Sequence, residues 1–274
     1  MPYIKHQTKF NSQANVLHVY TFTALTCLLF LLTPTSVLAQ AKESSKPGES
    51  IRVLFVGNSY TAANNLPLMF TRLSEAGKQA KVTTSTSLRG GWTLSKHWAE
   101  ETPATKKTIT DKKFHYIIFQ EQSQMPFMYP KVTHEFGVKL GNLAKSKGAT
   151  PVFYMTWARL HQPENQSKIT TAYRQLGRTV NAPVAPVCLA WESFLKENTT
   201  VKLHRSDKSH PTPAGTYLAA CVFYGTIHKQ SPVGLPSKLF VQPNGKGKAI
   251  VQLIPSQAKS LQQAAWKAVQ QEKK

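Results

Sequence analysis

Ile51-Arg52-Val53-Leu54-Phe55-Val56-Gly57-Asn58-Ser59 decides the fold. The run from Ile51 to Val56 is almost continuously apolar and rich in β-branched and aromatic side chains, which marks a buried strand. Gly57-Asn58 then breaks it in a tight turn. Helical spacing follows within ten residues, with Leu66, Met69, Phe70 and Leu73 on one face and Gly77 as the stop. Working outward, further strands are expected at 82–88, 115–119, 151–155 and 185–189. Helices are expected at 132–147, 166–180, 213–228 and 256–273. Strand and helix alternate about every thirty residues, the pattern of an α/β fold with a parallel sheet and helices on both faces. No repeat or internal linker interrupts residues 51–274, so they read as one domain. The stretch 230–253, rich in Pro, Gly and Lys, reads as an irregular excursion with a short hairpin.

The first 39 residues stand apart. Lys5 and Lys9 precede an apolar run from Val16 to Leu32, and small residues lead to Val37-Leu38-Ala39. A charged start, a short apolar middle and a small-residue cut site describe a secretory signal peptide. Cleavage is expected after Ala39, or Ala41, with 40–50 as a polar linker. The densest apolar stretch is short for a membrane span, so no transmembrane span is expected after cleavage, and the product would be secreted or periplasmic. Cys27 would leave with the signal. Cys188 and Cys221 remain, too few for a disulfide scaffold, and both are expected to be free thiols.

Hydrophobic residues make up 41% of the 274, enough for a real core, which rules out wholesale disorder. Lysine and arginine number 34 against 13 acids, a net charge of +21. The lysines are scattered and no nucleic-acid module is recognisable, so specific nucleic-acid binding is not expected. An anionic glycan or cell surface suits such a charge, as do simply solvated lysines. The usual zinc and nucleotide motifs are absent, and neither metal nor cofactor is expected.

Three features sit at strand ends, where ligands bind in such folds. Gly57-Asn58-Ser59 would present a serine near a helix N-terminus, where backbone N–H groups are free. Gly90-Gly91-Trp92 would let the backbone approach a ligand. Asp207-Lys208-Ser209-His210 sets an acid three residues from an imidazole, which it can orient so that the other nitrogen takes a proton from a serine.

These blocks resemble the SGNH (GDSL-like) hydrolases. Gly57-Asn58-Ser59 looks like their first block, with Asn for the usual Asp, and Asp207-x-x-His210 looks like their last. Gly90-Gly91 fall where the second block's glycine belongs. The third block departs from the usual pattern and reads Phe119-Gln120-Glu121-Gln122-Ser123. Gly91-Trp92-Thr93-Leu94 with His97, Met155-Thr156-Trp157-Ala158 and Ala185-Pro186-Val187 resemble an uncharacterised secreted bacterial branch. The resemblance runs from about residue 51 to 228. It implies a three-layer flavodoxin-like sandwich with about five parallel strands, and a serine esterase. Ser59 would be the nucleophile, His210 the base and Asp207 its orienter. The oxyanion hole would take the N–H of Ser59, that of Gly90 or Gly91, and a side-chain amide, Gln120 by preference and Gln122 as runner-up. Asn58, Trp92, His97 and Trp157 are candidate substrate contacts. The substrate would be a small ester, an O-acetyl group on a carbohydrate above all. Two alternatives stand beside it: a catalytically silent relative that binds anionic polysaccharide, and a phosphoester hydrolase.

Overall fold

A computed structural model describes residues 50–99, 104–197, 200–243 and 245–272. The expected signal peptide, most of the linker and the cleavage site lie outside the described residues. The described residues form one compact unit.

Five parallel strands make the central sheet: β1 (Ile51–Gly57), β2 (Val82–Leu88), β3 (Tyr116–Phe119), β4 (Thr150–Tyr154) and β5 (Val184–Ala185). Their order is β2-β1-β3-β4-β5, the flavodoxin-like winding. The sheet is dry at its centre: Val53 to Val56, Ile117 to Phe119 and Val152 to Tyr154 are at most 1% exposed. Helices α1 (Ser59–Ala62), α2 (Leu66–Ala76), α3 (Leu94–Trp98), α4 (Ala104–Asp111) and α5 (Met125–Met128) come first in the chain. They are followed by α6 (Pro130–Ser146), α7 (Gln166–Val180), α8 (Val187–Glu197), α9 (Pro213–His228) and α10 (Pro255–Glu272). One layer joins α2, α8, α9 and α10, and the other joins α3, α5, α6 and α7. Phe55 shows how the first layer seats on β1: its ring meets Phe70 of α2 at 6.3 Å and Phe223 of α9 at 5.7 Å. Every residue of α9 from Ala214 to Ile227 is buried. A helix that is apolar all round belongs in an interior, and α2 and α10 close over it.

The expected strand 185–189 is corrected. Pairing with β4 stops at Ala185. Pro186 has no N–H to continue a ladder. The buried residues that follow, Val187, Cys188, Ala190, Trp191 and Phe194, recur at helical spacing and form α8. The excursion holds a short antiparallel pair, β6 (Lys238–Phe240) with β7 (Ala249–Gln252). Cys188 and Cys221 are free and buried. No helix of the described residues is long and apolar enough to cross a membrane.

The register brings the carboxyl ends of the strands level. Gly57 lies beside Leu88, Val56 beside Phe119, and Phe119 beside Phe153. The segments that continue these strands therefore emerge on one rim.

Candidate active site

Ser59 opens α1 on that rim and is half-buried. Asn58 caps the helix, its side-chain oxygen accepting the Tyr60 N–H. The Ser59 Oγ lies 2.8 Å from His210 Nε2. His210 Nδ1 lies 2.7 Å from Asp207 Oδ2. Asp207 accepts only through its carboxylate, so Nδ1 carries the proton and Nε2 is free to accept the serine hydroxyl. Desolvation alone would push the Asp207 carboxyl up. The Ser209 and His210 N–H groups and the imidazole outweigh it and hold the carboxyl at about 2. The three sequence-predicted groups thus meet across 151 residues of chain.

The loop carrying His210 is tied back to the serine side. The His204–Pro211 bridge closes it. Asn64, in left-handed backbone at φ 51°, donates to Pro211 O and to Thr216 Oγ1. Tyr60 bonds the Ser209 hydroxyl at 2.6 Å and sets its ring edge-on to His210. Tyr60 also stacks on Trp157, which stacks on Trp191 at 3.8 Å.

Gly90 and Gly91 are exposed beyond β2, with Gly91 left-handed at φ 68°. The N–H groups of Ser59, Gly90 and Gly91 have no hydrogen-bond partner among the described residues.

Several expected contacts take other roles. Gln120 is fully buried, and its amide is spent behind the turn: Nε2 donates to Asn58 Oδ1 and Glu121 O, and Oε1 accepts from Asn58 N and Thr61 Oγ1. It is no donor to an oxyanion in this geometry. Gly57 is small for its sake, since a Cβ there would meet Gln120 Oε1 at 2.6 Å. Gln122 is half-buried, and its Oε1 accepts the Gln124 N–H. Its amide nitrogen has no partner among the described residues. Asn58 is 2% exposed and ties the turn to Trp92 O, so it organises the turn that carries Ser59. His97 is fully buried. Its Nε2 donates to Gly57 O, and Nδ1 pairs with Thr105 Oγ1. Burial pushes its pKa down, and the neutral ring braces β1 from behind. Trp157 is 1% exposed and belongs to the core stack. Trp92 stays half-buried, its ring edge-on to His97 at 5.0 Å.

Two further residues escaped the sequence reading. Glu121 is fully buried, and one carboxyl oxygen accepts the N–H of both Leu94 and Gln122. Arg159 stands beyond β4, its Nη2 donating to Ser123 Oγ at 3.1 Å. Both follow apolar strands by a few residues, the position that marked Ser59.

No family model and no curated protein matches the sequence. Solved structures do. A protein from Slackia heliotrinireducens, described as a candidate SGNH hydrolase, is 27% identical with a TM-score of 0.56, over 65% of this chain and all of that one. The chain belongs to the SGNH hydrolase superfamily. A DUF4886-family protein from Bacteroides uniformis shares the fold of this chain at 19% identity and a TM-score of 0.62, over 82% of this chain and 97% of that one. An acetyl xylan esterase shares it at 14% identity and 0.50, over 65% and 100%.

Proposed function

We propose that this protein is a serine esterase that removes small acyl groups, O-acetyl foremost, from carbohydrate-type alcohols outside the cytoplasm. The hydrogen-bonded line from Ser59 Oγ through His210 to Asp207, at 2.8 and 2.7 Å, carries the reading. His210 Nε2 takes the serine proton as Oγ attacks the acyl carbon. The oxyanion that forms is met by the N–H of Ser59 and of Gly90 or Gly91, with Gln122 as the side-chain donor. The tetrahedral intermediate collapses to the acyl-serine, and the alcohol leaves with the proton from His210. Water, deprotonated by the same nitrogen, then releases the acid and restores Ser59. The likeness in fold to an acetyl xylan esterase favours a small acyl group on a sugar. The signal-like residues 1–39 favour export.

The test is hydrolysis of p-nitrophenyl acetate and acetylated sugars, with fluorophosphonate labelling. Ser59→Ala should abolish both labelling and turnover while keeping the far-UV circular dichroism. Asp207→Asn should cost less than His210→Ala, because the acid orients while the imidazole moves the proton. Wild-type rates in Ser59→Ala would end the proposal.

A further inference from the structure

Arg159 is a cation at the rim whose charge the proposed acyl transfer leaves unused. Its backbone is held from both sides. Ala158 N bonds Gln166 Oε1, Ala158 O accepts from His204 Nε2, and Leu160 N donates to Lys208 O beside Asp207. Its guanidinium reaches Ser123 Oγ and acts electrostatically on the Tyr60 hydroxyl, which itself bonds Ser209 next to His210. No carboxylate pairs with it among the described residues, and its buried Nε has no acceptor there. Acids are scarce in this chain, yet other arginines find them: Arg72 bonds Glu75 and Arg174 bonds Glu272. A half-buried cation answered only by neutral hydroxyls is a poor structural solution, because desolvation of charge is repaid by an opposite charge. It suits a group that waits for an anion.

Sheet order gives the side. Gly90 and Gly91, two of the proposed oxyanion donors, lie past β2, on one flank of Ser59, and Gln122 reaches the oxyanion from past β3. Ser123 and Arg159 lie past β3 and β4, on the other flank. His210, which protonates the departing alcohol, is linked to this second flank through Ser209 and Tyr60. We propose that Arg159 binds an anionic oxygen group, carboxylate or phosphate, on the alcohol part of the substrate, so that the enzyme deacylates esters of acidic sugars in preference to neutral ones. This rests on the esterase reading and narrows its substrate class.

The test compares three matched acetyl esters: a methyl glucoside, the corresponding methyl glucuronoside, and the glucoside 6-phosphate. Wild-type kcat/KM should favour at least one anionic ester over the neutral one by about tenfold or more, the usual worth of a charge-assisted hydrogen bond. The two anionic arms tell carboxylate from phosphate. In Arg159→Gln that ratio should fall to about one, and Arg159→Lys should keep part of it. Equal wild-type rates on charged and neutral esters would overturn the proposal, as would a preference that Arg159→Gln leaves untouched. If the wild type cleaves none of the three, the esterase reading fails, and calorimetry on Ser59→Ala decides this one. Tighter binding of the anionic sugars that disappears with Arg159→Gln supports it, and equal binding of all three sinks it.

Discussion

Two glutamines two residues apart divide the work of the third block. Gln120 closes four hydrogen bonds beneath the Ser59 turn, and each partner it leaves would be a buried donor or acceptor without a match. Such a loss costs about 1–3 kcal/mol per group. Gln120→Ala should therefore lower the urea midpoint by that order or more, and any loss of activity should come with it. Gln122→Ala should leave the midpoint in place and lower kcat far more than it raises KM, because an oxyanion donor meets charge only in the transition state. Paired denaturation and steady-state measurements check this. The opposite pattern, with Gln120→Ala stable and slow, would return the donor role to Gln120. The sequence ranked Gln120 first because it follows the apolar strand directly. The structure shows that this proximity buries it: the residue next to a fully covered strand is covered as well.

At the scale of elements, Glu121 fastens the start of α3 to the end of β3, accepting the Leu94 N–H from 27 residues away. Burial pushes its carboxyl up to about 7, against the opposing Gln122 and Leu94 N–H groups and Thr133. A carboxyl raised in the folded state stabilises fully below the ordinary carboxylate range, and that contribution is lost as pH rises through about 7. Glu121→Gln keeps the accepting oxygen and removes the charge. The variant should match the wild type near pH 4 and exceed it above pH 8 by up to about 3 kcal/mol, since each tenfold change in proton affinity is worth ~1.4 kcal/mol. Urea titrations at the two pH values measure it, and parallel pH dependences would refute the account. α8 shows another limit of element reading. Its first residues look like a strand end, yet Pro186 and the helical recurrence through Phe194 override the β-rich composition. In consequence Cys188 points from a helix against Met155, and Cys221 lies inside α9 beside Tyr217. Burial pushes the Cys188 thiol up to about 12. In the protein lacking residues 1–39, two thiols should titrate after denaturation without reductant, and none should react in the native protein over the same time. Finding none after denaturation, with a two-dalton gain on reduction, would overturn the free-thiol assignment.

Across the whole molecule, the sheet gathers five strand-end segments on one rim, and the chain's charge and pH response are read there. Asp207 is held at about 2. Its ionised form stabilises the folded site above the ordinary carboxylate range, and that is lost only as pH falls through about 2. Asp207 should therefore contribute no proton to the acid limb of kcat/KM, and Glu121→Gln should leave the slope of that limb unchanged. A slope of two would bring a second group into the chemistry. The sequence by itself determined the alternation of buried strands with helices and the strand-end blocks holding Ser59, Gly90-Gly91 and Asp207-x-x-His210. These signals are local: periodicity, turn residues and short spacings survive in a one-dimensional string. Only the tertiary structure decided that His97 and Trp157 brace the core, that Gln120 holds a turn, and that Arg159, with no acid paired to it among the described residues, reaches Ser123. The physical reason is that a polar side chain's role is fixed by what satisfies it. For Gln120 and His97 the partners are 62 and 40 residues away, brought into reach by strand register and helix packing that no local pattern encodes.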